Sequence, residues 1–110
     1  MIKSKTRIWQ NEDAQRLAEA IASIDTVEVT ENFLRDVMTE TEIEEIATRF
    51  RAARMLTAGY KYSDIIERTK LSSRTVARIS DWLKNGCSGY RSAMLALAKH
   101  HGHISPERLG

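Results

Sequence analysis

A chain of 110 residues, 42% hydrophobic, 29% charged and with a formal net charge of +2, has the balance of an ordinary globular domain, so one domain spanning residues 1–110 is expected, burying about two-thirds of the surface its unfolded chain exposes. No apolar run approaches the roughly 20 residues needed to cross a bilayer, and the basic start MIKSKTRIWQNED holds no apolar stretch of signal-peptide length, so a cytoplasmic protein without a membrane partner is expected. Cys87 is the single cysteine, which excludes an internal disulfide and a cysteine-based zinc framework.

Residues 11–24 are predicted as a helix. Ala14, Leu17, Ala18, Ile21 and Ile24 recur at spacings of three and four, and Glu12 and Asp13 suit the positive end of its dipole. Val27 and Val29 alternate briefly as a strand would. Thr30, Glu31 and Asn32, followed by Phe33, Leu34, Val37 and Met38, fit a short helix better. Thr39 opens the next helix, because its hydroxyl can cap the first amides while Glu42, three residues on, completes a capping box. Glu40, Glu42, Glu44 and Glu45 add favourable charge there. Ile43, Ile46, Ala47, Phe50, Ala53 and Leu56 then trace an apolar face to Gly59, which suits a left-handed C-terminal cap.

A helix-turn-helix is expected over about 62–84. Ile65 and Ile66 lie on the inner face of a short first helix, Leu71 plugs the turn, and Val76 and Ile79 form the inner face of the second helix. The turn position that often carries Gly, to allow a left-handed backbone, is Lys70, and Ile66 stands where a small residue is usual. The second helix leaves Ser72, Ser73, Arg74, Thr75, Ala77, Arg78 and Asp81 as a polar strip of the kind that enters a DNA major groove, with Lys70 and Lys84 beside it. Charge distribution agrees with this placement. Residues 1–58 carry 8 Lys/Arg against 11 Asp/Glu, a net −3, whereas residues 59–110 carry 9 against 4, a net +5. Such a split suits a chain in which one part assembles and the other faces a polyanion. Asn85-Gly86 and Ser88-Gly89 mark a loop, and residues 90–101 form a last helix through Met94, Leu95 and Leu97. The fold class expected is all-α, with six helices and no sheet.

The run TETEIEEIATRFRAARMLTAGYKYSDIIERTKLSSRTVARISDWLKNGCSGY resembles the Trp repressor superfamily, and within it the YerC/YecD branch. The resemblance rests on the helix start at Thr39, the Thr48-Arg49-Phe50-Arg51 centre, Leu56 with Gly59, the Thr75-Val76-Ala77-Arg78 core of the recognition helix and the Gly86-Cys87-Ser88-Gly89-Tyr90 loop. It covers about residues 10–100. What it implies is an intertwined homodimer in which N-terminal helices, about 10–58, wrap the other subunit and hold two reading heads one DNA turn apart.

The resemblance also implies a pocket in which the corepressor's indole lies between two arginines, at positions matched here by Arg49 and Arg78, with Thr39 matching a pocket position of the other subunit. Its neighbours depart from the pattern. Ile79 stands where the Trp repressor has a Gly that leaves room for the ring, Trp82 where it has a Ser that bonds the ligand, and Asp36 where it has an apolar residue. The favoured expectation is therefore no cofactor and no effector, ahead of L-tryptophan or another small ligand. Arg49 has a plainer role as a partner for Glu45 or another acid, and Arg78 as a phosphate contact.

His100, His101 and His103 have a metal-like spacing, but no cysteine or acid joins them at a known ligand interval, so a solvated tail is expected and no metal site. Cys87 is expected to be an inert thiol. Nothing arranges Ser and His as nucleophile and base, and no paired carboxylates or Gly-rich phosphate loop occur, so an enzyme is not expected. The expectation is a sequence-specific DNA-binding transcriptional regulator, a repressor by analogy, acting on double-stranded DNA as a homodimer. Ser73, Arg74 and Ala77 would address base edges, and Lys70, Thr75, Arg78 and Lys84 would hold phosphates. The alternative is a helical protein-interaction module that has lost DNA binding.

Overall fold

The computed structural model describes residues 7–101. Among these, after a 3-10 turn at Ile8–Gln10, six α-helices follow and no strand: α1 (Glu12–Ser23), α2 (Val27–Val37), α3 (Glu40–Thr57), α4 (Tyr62–Thr69), α5 (Ser73–Asn85) and α6 (Gly89–His101). The all-α expectation of six helices holds. Contacts divide the chain into two compact units, Met1–Glu44 and Glu45–Gly110, the division falling within α3.

In the first unit the helices begin at side-chain caps. Asn11 Oδ1 accepts the Ala14 amide at 2.9 Å, and Thr26 Oγ1 accepts the Val29 amide at 3.2 Å. The Thr26 cap starts α2 three residues before the expected Thr30, so Val27 and Val29 belong to a helix and not to a short strand. A side-chain oxygen that satisfies a free amide decides the boundary here, over a two-residue alternation. The capping box at the start of α3 is complete: the Thr39 amide donates to Glu42 Oε1 at 2.9 Å and the Glu42 amide to Thr39 Oγ1 at 3.1 Å. Neither α1 nor α2 buries a residue, and Leu17, Ile21, Val27, Val29 and Val37 stay exposed.

The second unit holds the core. Ala52, Ala53, Ile65, Val76 and Ile79 are fully inaccessible and Met55 nearly so; Leu56, Ile66, Leu71, Leu83, Tyr90 and Met94 pack around them. The stripe along α3 therefore runs differently from the one expected. Ala53 and Leu56 face the core as predicted, but Ala52 and Met55 join them, while Ile46 is 54% exposed and Ala47 is also exposed. Only the C-terminal half of α3 meets the core of this unit. The helix ends as anticipated, with Gly59 at φ 92°, its amide donating to Leu56 O and the Tyr60 amide to Met55 O, both at 3.0 Å. These two bonds make a Schellman cap.

Candidate nucleic-acid interface

The helix-turn-helix forms where its spacing places it. α4 and α5 pack against each other, Ile65, Val76 and Ile79 are fully buried between them and α3, and Leu71 packs at the turn. Thr69 is also buried. Its hydroxyl donates to Ile65 O at 2.6 Å and accepts the Leu71 amide at 3.3 Å, which satisfies the polar atoms of a turn that carries no Gly. Lys70 takes the left-handed conformation, φ 65° and ψ 14°, and its amide closes α4 on Ile66 O at 2.8 Å. A Lys thus holds, at a cost in backbone energy, the position that Gly occupies most easily.

α5 begins at Ser72, whose Oγ accepts the Thr75 amide at 3.1 Å and donates to Thr75 Oγ1 at 3.0 Å. The hydroxyls of Ser72 and Thr75 are thereby engaged with each other at the helix start. Beyond them Ser73, Arg74, Ala77 and Arg78 are exposed along one strip, with Lys70 before it and Lys84 at its far end. No acid occupies the first turn of α5, and among the described residues Lys70, Arg74, Arg78 and Lys84 form no ion pair. The strip's acid, Asp81, accepts from Asn85 Nδ2 at 2.8 Å. The result is an exposed row of cations and small side chains, fixed from below by fully buried ones, with the positive end of a helix dipole at its head.

A family model described as Trp repressor protein matches residues 12–98. The chain belongs to the Trp repressor family. It is 31% identical over 85 residues to the Bacillus subtilis protein YerC, itself uncharacterized, covering 77% of this chain and 82% of YerC. A solved TrpR-like protein from Eubacterium eligens superposes with a TM-score of 0.76 at 31% identity, over 83% of this chain and 94% of that one. A solved Staphylococcus aureus chain shares the fold, with a TM-score of 0.76 at 24% identity, over 84% and 93% of the two chains.

The residues matched to a ligand pocket by the sequence resemblance differ in their surroundings. Thr39 is engaged in its capping box. Arg49 is exposed, and among the described residues it makes no ion pair with Glu45 or any other acid, the plainer role expected for it. Its charge acts on Tyr90 instead: burial pushes the Tyr90 hydroxyl above its ordinary range, and the Arg49 guanidinium opposes that shift. Ile79 is fully buried, Trp82 is 43% exposed and Asp36 is exposed.

Two features were not singled out from sequence. Arg68 lies 5.4 Å from the centre of the Tyr60 ring, although Asp64, one helical turn before it, offered an ion pair; the (i, i+4) spacing gave no sign of that choice. An apolar groove of about 530 Å³ is lined by Leu56, Leu83, Met94 and Leu95, with Ser80, Lys84 and Arg91 among its polar residues. Cys87 is exposed. His103 lies outside the described residues, as does the side chain of His101; within them no three His, Cys, Asp or Glu side chains gather as metal ligands. No helix of the described residues is long and apolar enough to cross a membrane.

Proposed function

We propose that the chain is a sequence-specific transcriptional regulator, a repressor that binds operator DNA as a homodimer in the cytoplasm. The observation that carries this reading is α5, whose inner face is anchored by the fully buried Val76 and Ile79 while its outer face offers cations that form no ion pair among the described residues. Arg74 is long enough to reach a guanine edge bidentately, and Ser73 and Ala77 leave room for bases beside it. Lys70, Thr75, Arg78 and Lys84 flank them as phosphate contacts, Thr75 through the proton of a hydroxyl whose oxygen accepts from Ser72 Oγ. Membership of the Trp repressor family supports the assignment.

The dimer rests on a separate observation. α1 and α2 are amphipathic, yet no residue of either is fully buried in the chain itself; Phe33 and Leu34 are half-buried, and Leu17, Ile21, Val27, Val29 and Val37 stand open to solvent. A second copy covers such surface at least cost, because each chain brings the same faces. Two heads in a dimer reach successive major grooves about one helical turn apart.

The groove walled by Leu83, Met94 and Leu95 favours a second reading, a helical interaction module. Affinity for duplex DNA at several salt concentrations separates the two. Counterion release lowers the logarithm of DNA affinity by about 0.9 per phosphate contact for each decade of salt. A steep slope supports the DNA reading, and duplex DNA that fails to bind at low salt would leave the interaction module in its place.

A further inference from the structure

The apolar groove of the second unit combines two kinds of lining. Its walls are Leu56 near the end of α3, Leu83 of α5, and Met94 and Leu95 of α6, and its volume of about 530 Å³ falls among small-molecule sites, which span roughly 300–1,000 Å³. Leu95 is 68% exposed, so an apolar occupant would remove much of this wall from water. No aromatic side chain lines the groove, which favours a flexible alkyl body over a stacked ring.

The charged lining is of one sign. Lys84 of α5 and Arg91 of α6 both line the groove, no acid lines it with them, and neither forms an ion pair among the described residues. Long cationic side chains of this kind can lay their stems on apolar walls and keep their heads in water. Ser80, half-buried on α5, makes no side-chain hydrogen bond among the described residues, whereas the hydroxyl of Thr57 donates to Ala53 O at 3.0 Å. Two cations and an uncommitted hydroxyl beside three leucines and a methionine match the two ends of one molecule, a carboxylate and an alkyl chain.

We infer that this groove binds a medium-chain carboxylate, its headgroup on Lys84, Arg91 and Ser80 and its chain along Leu56, Leu83, Met94 and Leu95, and that the bound ligand releases duplex DNA. The release rests on the DNA-binding reading, whereas the site does not. Lys84 belongs to the strip assigned to phosphates, and an ammonium neutralised by a bound carboxylate attracts a phosphate less. The coupling is reciprocal, so DNA lowers affinity for the ligand by the same factor. A protein partner or second copy seated permanently on the groove would withdraw Lys84 from that strip; a small ligand that dissociates does not.

The full chain is titrated with sodium decanoate below its micelle concentration, and isotope-labelled methionine methyl groups are followed by NMR. Decanoate should shift the Met94 methyl resonance saturably. Octanoate should bind up to about 15-fold more weakly, at about fourfold per buried methylene, and decanol, which lacks the charge, at least about tenfold more weakly. Arg91→Gln should weaken decanoate and leave decanol unchanged, while Leu95→Gln should weaken both; each replaced side chain is exposed, so both proteins are expected to fold. Affinity for a duplex selected from a random pool, measured by anisotropy, should fall at least about fivefold at saturating decanoate. An unmoved Met94 resonance, decanol that binds as tightly as decanoate, or Arg91→Gln without effect would overturn the site. Saturable binding with unchanged DNA affinity would overturn the release. Decanoate bound in the groove of a chain that binds no duplex DNA would support the site while removing the DNA-binding reading.

Discussion

Replacing Lys70 by Gly should make the protein more stable and a poorer DNA binder. Lys70 sits at φ 65° and ψ 14°, where a residue with a Cβ is strained by about 1–2 kcal/mol, whereas Gly adopts the conformation freely. Gly brings an opposing loss, since its greater freedom in the unfolded chain costs about 0.5–1 kcal/mol. The side chain itself is exposed and forms no ion pair among the described residues, so little packing is lost. The balance is a gain of about 0.5–1 kcal/mol, or roughly 2–6 °C in melting temperature for a chain of this size. On DNA the sign reverses: removing one phosphate contact should lower the magnitude of the salt slope by about 0.9. Thermal melts together with fluorescence anisotropy at several salt concentrations measure both. A less stable Lys70→Gly protein would refute the left-handed assignment, and an unchanged slope would remove Lys70 from the phosphate contacts.

Arg74→Ala should cost about 1–3 kcal/mol on the selected site and relax preference at one base position, whereas Lys84→Ala should weaken all sequences alike; equal losses on specific and random duplexes would take Arg74 out of the base-reading set. Because α1 and α2 fully bury no residue alone, melting temperature should rise with protein concentration, and a folded monomer in sedimentation at micromolar concentration would contradict the dimer. The Tyr90 hydroxyl titrates above its ordinary range in the folded chain, so its contribution is intact below about pH 10 and is lost as pH rises through the folded value. Tyr90→Phe should therefore flatten the alkaline fall in stability seen in denaturant titrations, and an unaltered pH profile would show that Tyr90 plays no part in it.

The parts of the fold that were legible in the sequence are those set by local chemistry. Thr39 and Glu42 announce a helix start because each satisfies the other's amide, and Gly59 announces an end because the cap needs positive φ. Ile65, Leu71, Val76 and Ile79 were readable because two helices joined by a short turn can bury only one spacing of side chains. Even the left-handed Lys70 follows from the turn and not from its residue type. What escaped depends on non-local choices. The start of α2 was missed because the Thr26 cap competes with a strand-like alternation at Val27 and Val29. Ile46 looked like core but is exposed, since periodicity reports that a face is apolar and not which element covers it. For the site, sequence supplied the cationic strip; the mutual engagement of Ser72 and Thr75 and the stacking of Arg68 on Tyr60 depend on rotamers that no spacing encodes.

The central claim is that α5 reads duplex DNA, and selection of bound sequences from a random duplex pool tests it most directly. The account predicts enrichment of a two-fold related site whose half-sites lie about 10 base pairs apart, with enrichment at the position read by Arg74 lost in the Arg74→Ala protein. A pool that emerges without enrichment, at salt low enough for electrostatic binding to be strong, would contradict it.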